Sequence, residues 1–217
     1  MKHRAFVAGV ALLATVASCA PLLAYTPPNK VADPNWPCQQ ILVSHLSPAA
    51  MWSGPSIQGL DKSTADPDLD ALATKIAQRR LPIEQAKTEI EAFAKAAGAD
   101  RKQKLTMLFA LVFSKLDEER GQVLQGLVRF GQRQKEMADK IRAESDKLHE
   151  TQDKSMSPEE ANDPNNQLSA AAKQLQWDLR IFNERHSSLT YVCESPVLIE
   201  QRLFALAREI QAQLPTQ

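Results

Sequence analysis

The chain reads as an all-α protein: a helical bundle with a long antiparallel, coiled-coil-like hairpin and a proline-rich N-terminal arm. Three observations predict it. Glycine is scarce, 7 in 217 residues, and the long charged stretches are rich in Ala, Gln, Glu, Lys, Arg and Leu, a composition that favours helix over sheet. Seven of the thirteen prolines fall within residues 25–67, where no long helix survives them. From Asp100 to Ser157 there is no proline, and apolar residues recur there at intervals of seven, the spacing of a helix packed along a seam.

Residues 1–18 come first and belong to no fold. Met1-Lys2-His3-Arg4 puts positive charge ahead of the uncharged run 5–17, and Val16-Ala17-Ser18-Cys19 follows at once. A basic head, an apolar stretch and a small-residue junction make an export signal. This segment resembles the signal of bacterial lipoproteins, where a Val/Leu-small-small-Cys box precedes the cysteine that is lipidated and becomes the first residue. The resemblance implies a lipid anchor on Cys19 and attachment to a membrane through it. Two other readings stay open. An ordinary signal peptidase would release a soluble product, although Pro21 and Leu22 disfavour its cut. An uncut segment would serve as a single anchor, since residues 5–24 carry no charge and about 20 apolar residues span a bilayer. All three place the rest of the chain in the periplasm or cell envelope.

Residues 19–35 read as a spacer and 36–66 as an ordered arm. Trp36 and Trp52, with Ile41, Leu42, Val43 and Leu46, are expected to lay that arm on the helices. The helical domain spans 67–217. Asp66-Pro67 fits an N-cap followed by proline at the first helical position. Leu69, Leu72, Ala73 and Ile76 line a short helix that Pro82 ends. Pro82 opens the next, striped by Ile83, Ala86, Ile90, Phe93 and Ala97, with Gly98 as its stop. Asp100 with Gln103 suits a capping box for the long third helix.

On that helix Leu116, Val123, Phe130 and Met137 fall seven apart, with Phe113, Leu127, Ile141 and Leu148 as the companion series. Arg120, Gln134 and Glu144 interrupt the pattern. The next helix supplies the complement: Leu168, Leu175, Phe182 and Leu189 in one series, Ala172, Leu179, His186 and Cys193 in the other. Ser157-Pro158-Glu159-Glu160 and Asp163-Pro164 form the turn between them. Two apolar seams joined by a polar turn predict an antiparallel hairpin. Ser195-Pro196 is expected to cap a fifth helix with Ile199, Leu203, Leu206 and Ile210 inside. A β-prone run, 189–193, leaves a two-stranded pairing with 41–43 as the lesser alternative.

With Cys19 assigned to the signal, Cys38 and Cys193 form an even pair in an oxidising compartment, so a disulfide is expected. It would pin the arm to the helical body.

Catalytic patterns are missing from the sequence. His45, His149 and His186 share no ligand spacing with one another or with Cys, Asp or Glu, and neither His-x-x-x-His nor Cys-x-x-Cys occurs. The paired carboxylates, Asp117-Glu118-Glu119, Glu159-Glu160 and Glu89 with Glu91, are neighbours in sequence, and on a helix such neighbours point in different directions. No Gly-x-Ser-x-Gly occurs, and Gly121, Gly126 and Gly131 cradle no phosphate but mark places where the arm or another helix comes close, or a local weakness in the long helix. Neither an enzyme nor a cofactor or metal is expected. Cleaving off residues 1–18 removes Lys2 and Arg4 from 26 basic and 26 acidic residues, and the slight acidic excess left argues against a nucleic-acid binder, which needs a basic face. The expected role is therefore binding: an accessory or scaffold subunit for another envelope protein, held to the membrane through Cys19. A carrier or chaperone-like module for an apolar ligand or unfolded chain is the alternative, and an enzyme with an unrecognised site the third. Heptad seams pair within or between chains, so self-association stays open. Trp52, Met156 at the hairpin tip and Trp177 are the candidate partner contacts. Trp177 projects off the seam, and the arm is expected to cover it unless it serves as an anchor.

Overall fold

In the computed structural model, residues 33–154 and 167–215 are described. Five α-helices follow the arm: α1 (Pro67–Ala77), α2 (Ile83–Ala96), α3 (Arg101–Lys154), α4 (Gln167–Ser187) and α5 (Leu189–Ala212). There is no strand among the described residues, so residues 189–193 are helical and the two-stranded alternative is set aside. The fold is all-α.

The starts of α1 and α2 follow the sequence, whereas Asp100 ends a 3-10 turn and makes no capping box with Gln103 among the described residues. Asp66 accepts from the Asp68 N–H at 2.9 Å, and Pro67 takes the first turn of α1. Pro82 stands at the N-cap of α2. Gly98, at φ 56°, lets the chain leave α2 through a left-handed residue and enter α3 by a short 3-10 turn, Gly98–Asp100. α1 stops five residues short of Pro82, because a side chain from elsewhere takes its last carbonyls. Arg202 of α5 donates from Nε to the Ala77 oxygen at 2.9 Å and from Nη2 to the Ile76 oxygen at 2.5 Å.

The long α3 organises everything else. Arg101 Nη2 meets Gln213 at 3.0 Å, Arg120 Nε meets Glu200 at 2.6 Å, and Lys140 Nζ meets Asp178 at 2.8 Å. Each step up α3 is matched by a step down the partner, so α5 and then α4 run antiparallel to it from end to end. α1 and α2 pack against the base of this hairpin. The core lies there, built from Ile76, Ile90, Leu105, Leu108, Phe109, Val112, Leu116, Ile199, Leu203, Leu206 and Ile210, all fully buried.

Two expectations for the returning limb are overturned. α4 ends at Ser187, and Pro196 lies inside α5 rather than at its start. At the break the Ser187 and Ser188 hydroxyls donate to the Asn183 and Glu184 carbonyls at 2.9 and 3.0 Å. Such back-bonding slightly weakens a helix, and here two consecutive serines make it, where Thr74, Thr88, Thr106 and Thr151 make it singly within unbroken helices. The backbone at Ser188 stays near helical, φ −78° and ψ −11°, so the limb bends without turning away. The second expectation is the companion seam of Ala172, Leu179, His186 and Cys193. Leu175, Phe182 and Ala172 do sit half-buried, but Leu179 and His186 are exposed, and Asp178 takes the inward position. A straight helix repeats every 3.6 residues and drifts off a strict sevenfold series.

Candidate interaction surfaces

The arm is the first element to place. It enters at a turn where Asp33 accepts from the Asn35 N–H at 2.8 Å, then crosses α3 at Gly131. A Cβ there would collide with the Asn35 carbonyl and lie 3.2 Å from Pro37 Cδ, so the expected close approach falls at this glycine. A Cβ at Gly121 would meet nothing within 4 Å, and one at Gly126 only the tip of Arg129. Cys38 then bridges to Cys193 of α5, with Cα atoms 5.7 Å apart, as expected. Gln40 Nε2 donates to the Cys193 carbonyl at 2.5 Å and Trp36 Nε1 to the Gln40 carbonyl at 2.6 Å.

Farther on, the arm descends α3 towards the base. Arg120, 4% exposed, joins three elements by donating to Glu200 of α5 at 2.6 Å and to the Val43 carbonyl at 2.7 Å. Asp117 accepts from the Leu46 N–H at 2.9 Å and faces His45 Nδ1 at 3.2 Å. Trp52 ends the run. It is 7% exposed and stacks on Phe109 with centroids 4.1 Å apart, while its Nε1 donates to the Pro55 carbonyl at 2.7 Å. Trp52 is therefore corrected from a partner contact to the arm's own anchor, because its indole is spent inside the core. Trp36 is half-buried, whereas Ile41 and Val43 point outward.

The hairpin above the core is held by polar groups. Lys140 pairs with Asp178, only 6% exposed, and lies 3.5 Å from Glu144. The Lys140 ammonium, with help from Gln174, holds the Asp178 carboxyl below the usual carboxylate range although desolvation opposes it. In return Asp178 lifts Lys140 above the ordinary lysine value. The Gln134 amide oxygen is buried without a hydrogen-bond partner among the described residues. Opposite this seam stands Trp177, 56% exposed. The arm does not cover it, which overturns that expectation: the arm lies along the α3–α5 groove, bound by Cys193 and Arg120, and not on α4. His186, expected at the seam, is exposed and stacks beside Phe182 at 6.3 Å.

Arg120 carries a sequence signal, being a charge on an apolar series; Asp178 carries none, because the sevenfold pattern points to Leu179. Arg202 is equally silent. Burial lowers its guanidinium pKa, with Glu119 acting against the shift, and the α1 carbonyls compensate the charge. Cys19, Met156, residues 1–18 and most of the spacer lie outside the described residues. Among the described residues no group of three or more His, Cys, Asp or Glu is placed to hold a metal ion, and no helix is long and apolar enough to cross a membrane. Grooves flank the arm. One of about 380 Å³ is lined by Leu42, His45, Leu124 and Val128, and one of about 530 Å³ by Cys38, His186, Cys193 and Val197. The chain matches no protein-family model, no curated protein and no solved structure.

Proposed function

We propose that the protein is exported to the cell envelope, is held there by a lipid on Cys19, and acts as an accessory or scaffold subunit that binds another envelope protein through its α3–α4 hairpin. The Val16-Ala17-Ser18-Cys19 box supports the anchor, and the Cys38–Cys193 bridge suits an oxidising compartment. One observation carries the binding role. Trp177 stands open on the outer side of a helix whose inner side is already packed, and tryptophan is the residue type most enriched at the energetic centres of interfaces.

A photoprobe replacing Trp177 in cells, with a second replacing Arg142 as control, tests this reading. Residue 177 is expected to cross-link one defined envelope protein, and Trp177→Ala to lose that protein on purification while its helicity is unchanged. If Trp177→Ala keeps the complex and deletion of 151–164 loses it, the contact belongs to the tip around Met156. If both variants keep it, the hairpin is not the binding element.

A further inference from the structure

We infer that the apolar rim shared by the arm and α5, formed by Ile41, Val43, Val197 and Phe204, rests on a phospholipid surface: the membrane leaflet that carries the Cys19 anchor. The inference deepens the anchored reading above and rests on it.

These four side chains are 69%, 40%, 38% and 45% exposed. The first three line one groove of about 200 Å³ together with Trp36 and Pro196. Phe204 follows Val197 by seven residues, so it lies on the same face of α5 two turns on. Inside the groove one charge pair is already matched. Arg120 and Glu200 neutralise each other at 2.6 Å inside the groove, so apolar contact buries no bare ion. Arg208 stands over the Phe204 ring at 5.9 Å, a cation beside an aromatic, which suits the level of lipid phosphates.

Size separates the other occupants. The groove falls below the roughly 300–1,000 Å³ of small-molecule pockets. Four partly exposed side chains fall short of the ~800 Å² that a stable protein interface takes from each partner. A lipid surface sets no such threshold when the chain is tethered to it. Asp33 follows Cys19 by fourteen residues, a contour of at most about 50 Å. Ile41 follows Asp33 by eight residues, and the disulfide fixes the intervening stretch to the body. The tether ends at the arm's crossing of α3 by Gly131, eleven residues or about 16 Å along that helix from Arg120 and Val43, and a contact too weak to hold a free protein becomes intramolecular. Apolar groups docked in this way sit about 5–10 Å into the headgroup boundary.

The test uses the full chain in the membranes of cells that export it. A benzoylphenylalanine photoprobe replaces Ile41, Phe204 or, as control, Arg142 on the hairpin, whose side chain is 72% exposed. Ultraviolet light is expected to attach phospholipid at 41 and 204 and none at 142, and Val43→Ser with Val197→Ser to abolish the lipid adduct at 41. The mass of the N-terminal peptide reads the anchor separately. Lipid on Cys19 with no phospholipid adduct at 41 or 204, or with a protein adduct there, overturns the docking and leaves the anchor standing. Phospholipid adducts from a chain with unmodified Cys19 overturn both the anchor and the tethered docking argued from it, since the rim would then hold lipid unaided. Equal lipid adducts at 41, 204 and 142 also overturn it, because proximity to the membrane would then be unspecific.

Discussion

Arg120, Arg202 and Asp178 are the charged residues most deeply buried among those described, and each joins elements distant in sequence. A buried charge is tolerated when partners replace its water. Arg202 finds the two last carbonyls of α1, Arg120 a carboxylate and a carbonyl, and Asp178 the Lys140 ammonium. The Asp178 pair has a definite pH signature. The folded pKa of Asp178 lies below its unfolded value, so the stability it contributes is full above about pH 4 and is lost as the pH falls through the folded value. The folded pKa of Lys140 lies above its unfolded value, so its contribution is full below about pH 10 and is lost as the pH rises through the folded value. Asp178→Asn is accordingly expected to lower the urea midpoint at neutral pH, with the two curves converging in acid. A difference that persists at about pH 2 would show that the carboxylate's charge is not what holds this position.

At the scale of elements, the glycines of α3 make opposite predictions. At Gly126 only the tip of Arg129, 3.9 Å away, comes near the place an alanine Cβ would take, whereas Gly131 faces the backbone of Asn35. Gly126→Ala should stabilise by about 0.5–1 kcal/mol, the ordinary helical advantage of alanine over glycine. Gly131→Ala should instead destabilise by about 1–3 kcal/mol, because the methyl forces the arm off the helix. Equilibrium unfolding of both variants checks the sign at each site. The helices themselves are largely legible in the sequence. Asp66-Pro67, Pro82 and Gly98 are local signals, since a cap or a blocked N–H acts within one turn. The break at Ser187-Ser188 is not legible, because Pro196 is the louder signal and a proline eight residues into a helix is exceptional. The seam fails at Leu179 for a related reason: apolar periodicity is blind to an aspartate whose partner sits thirty-eight residues away. The exposed rim of Ile41 and Val43 is likewise hidden, as a β-branched pair in an arm reads as core until the direction of each side chain is known.

For the whole molecule, the decisive link is the disulfide, because it joins the first described element to the last. The sequence separation of Cys38 and Cys193 is 155 residues, and closing so large a loop in the unfolded chain contributes up to about 5 kcal/mol on the chain-entropy account. The native arm, however, does not hang on that bond alone. Trp52 is stacked on Phe109, the Val43 carbonyl is held by Arg120 and the Leu46 N–H by Asp117, so the lower arm has its own attachments. The upper arm has fewer: the bridge itself, the Gln40 bond to the Cys193 carbonyl and the crossing at Gly131. Replacing both cysteines, Cys38→Ser with Cys193→Ser, should therefore act on two levels. Global stability in urea should fall by about 3–5 kcal/mol, while in the native state amide exchange should quicken at residues 35–41 and stay slow near 52. Uniform loss of protection along 35–52 would mean that the bridge, not Trp52, seats the whole arm. An unchanged urea midpoint would mean that the unfolded chain is already compact enough for the loop to cost nothing.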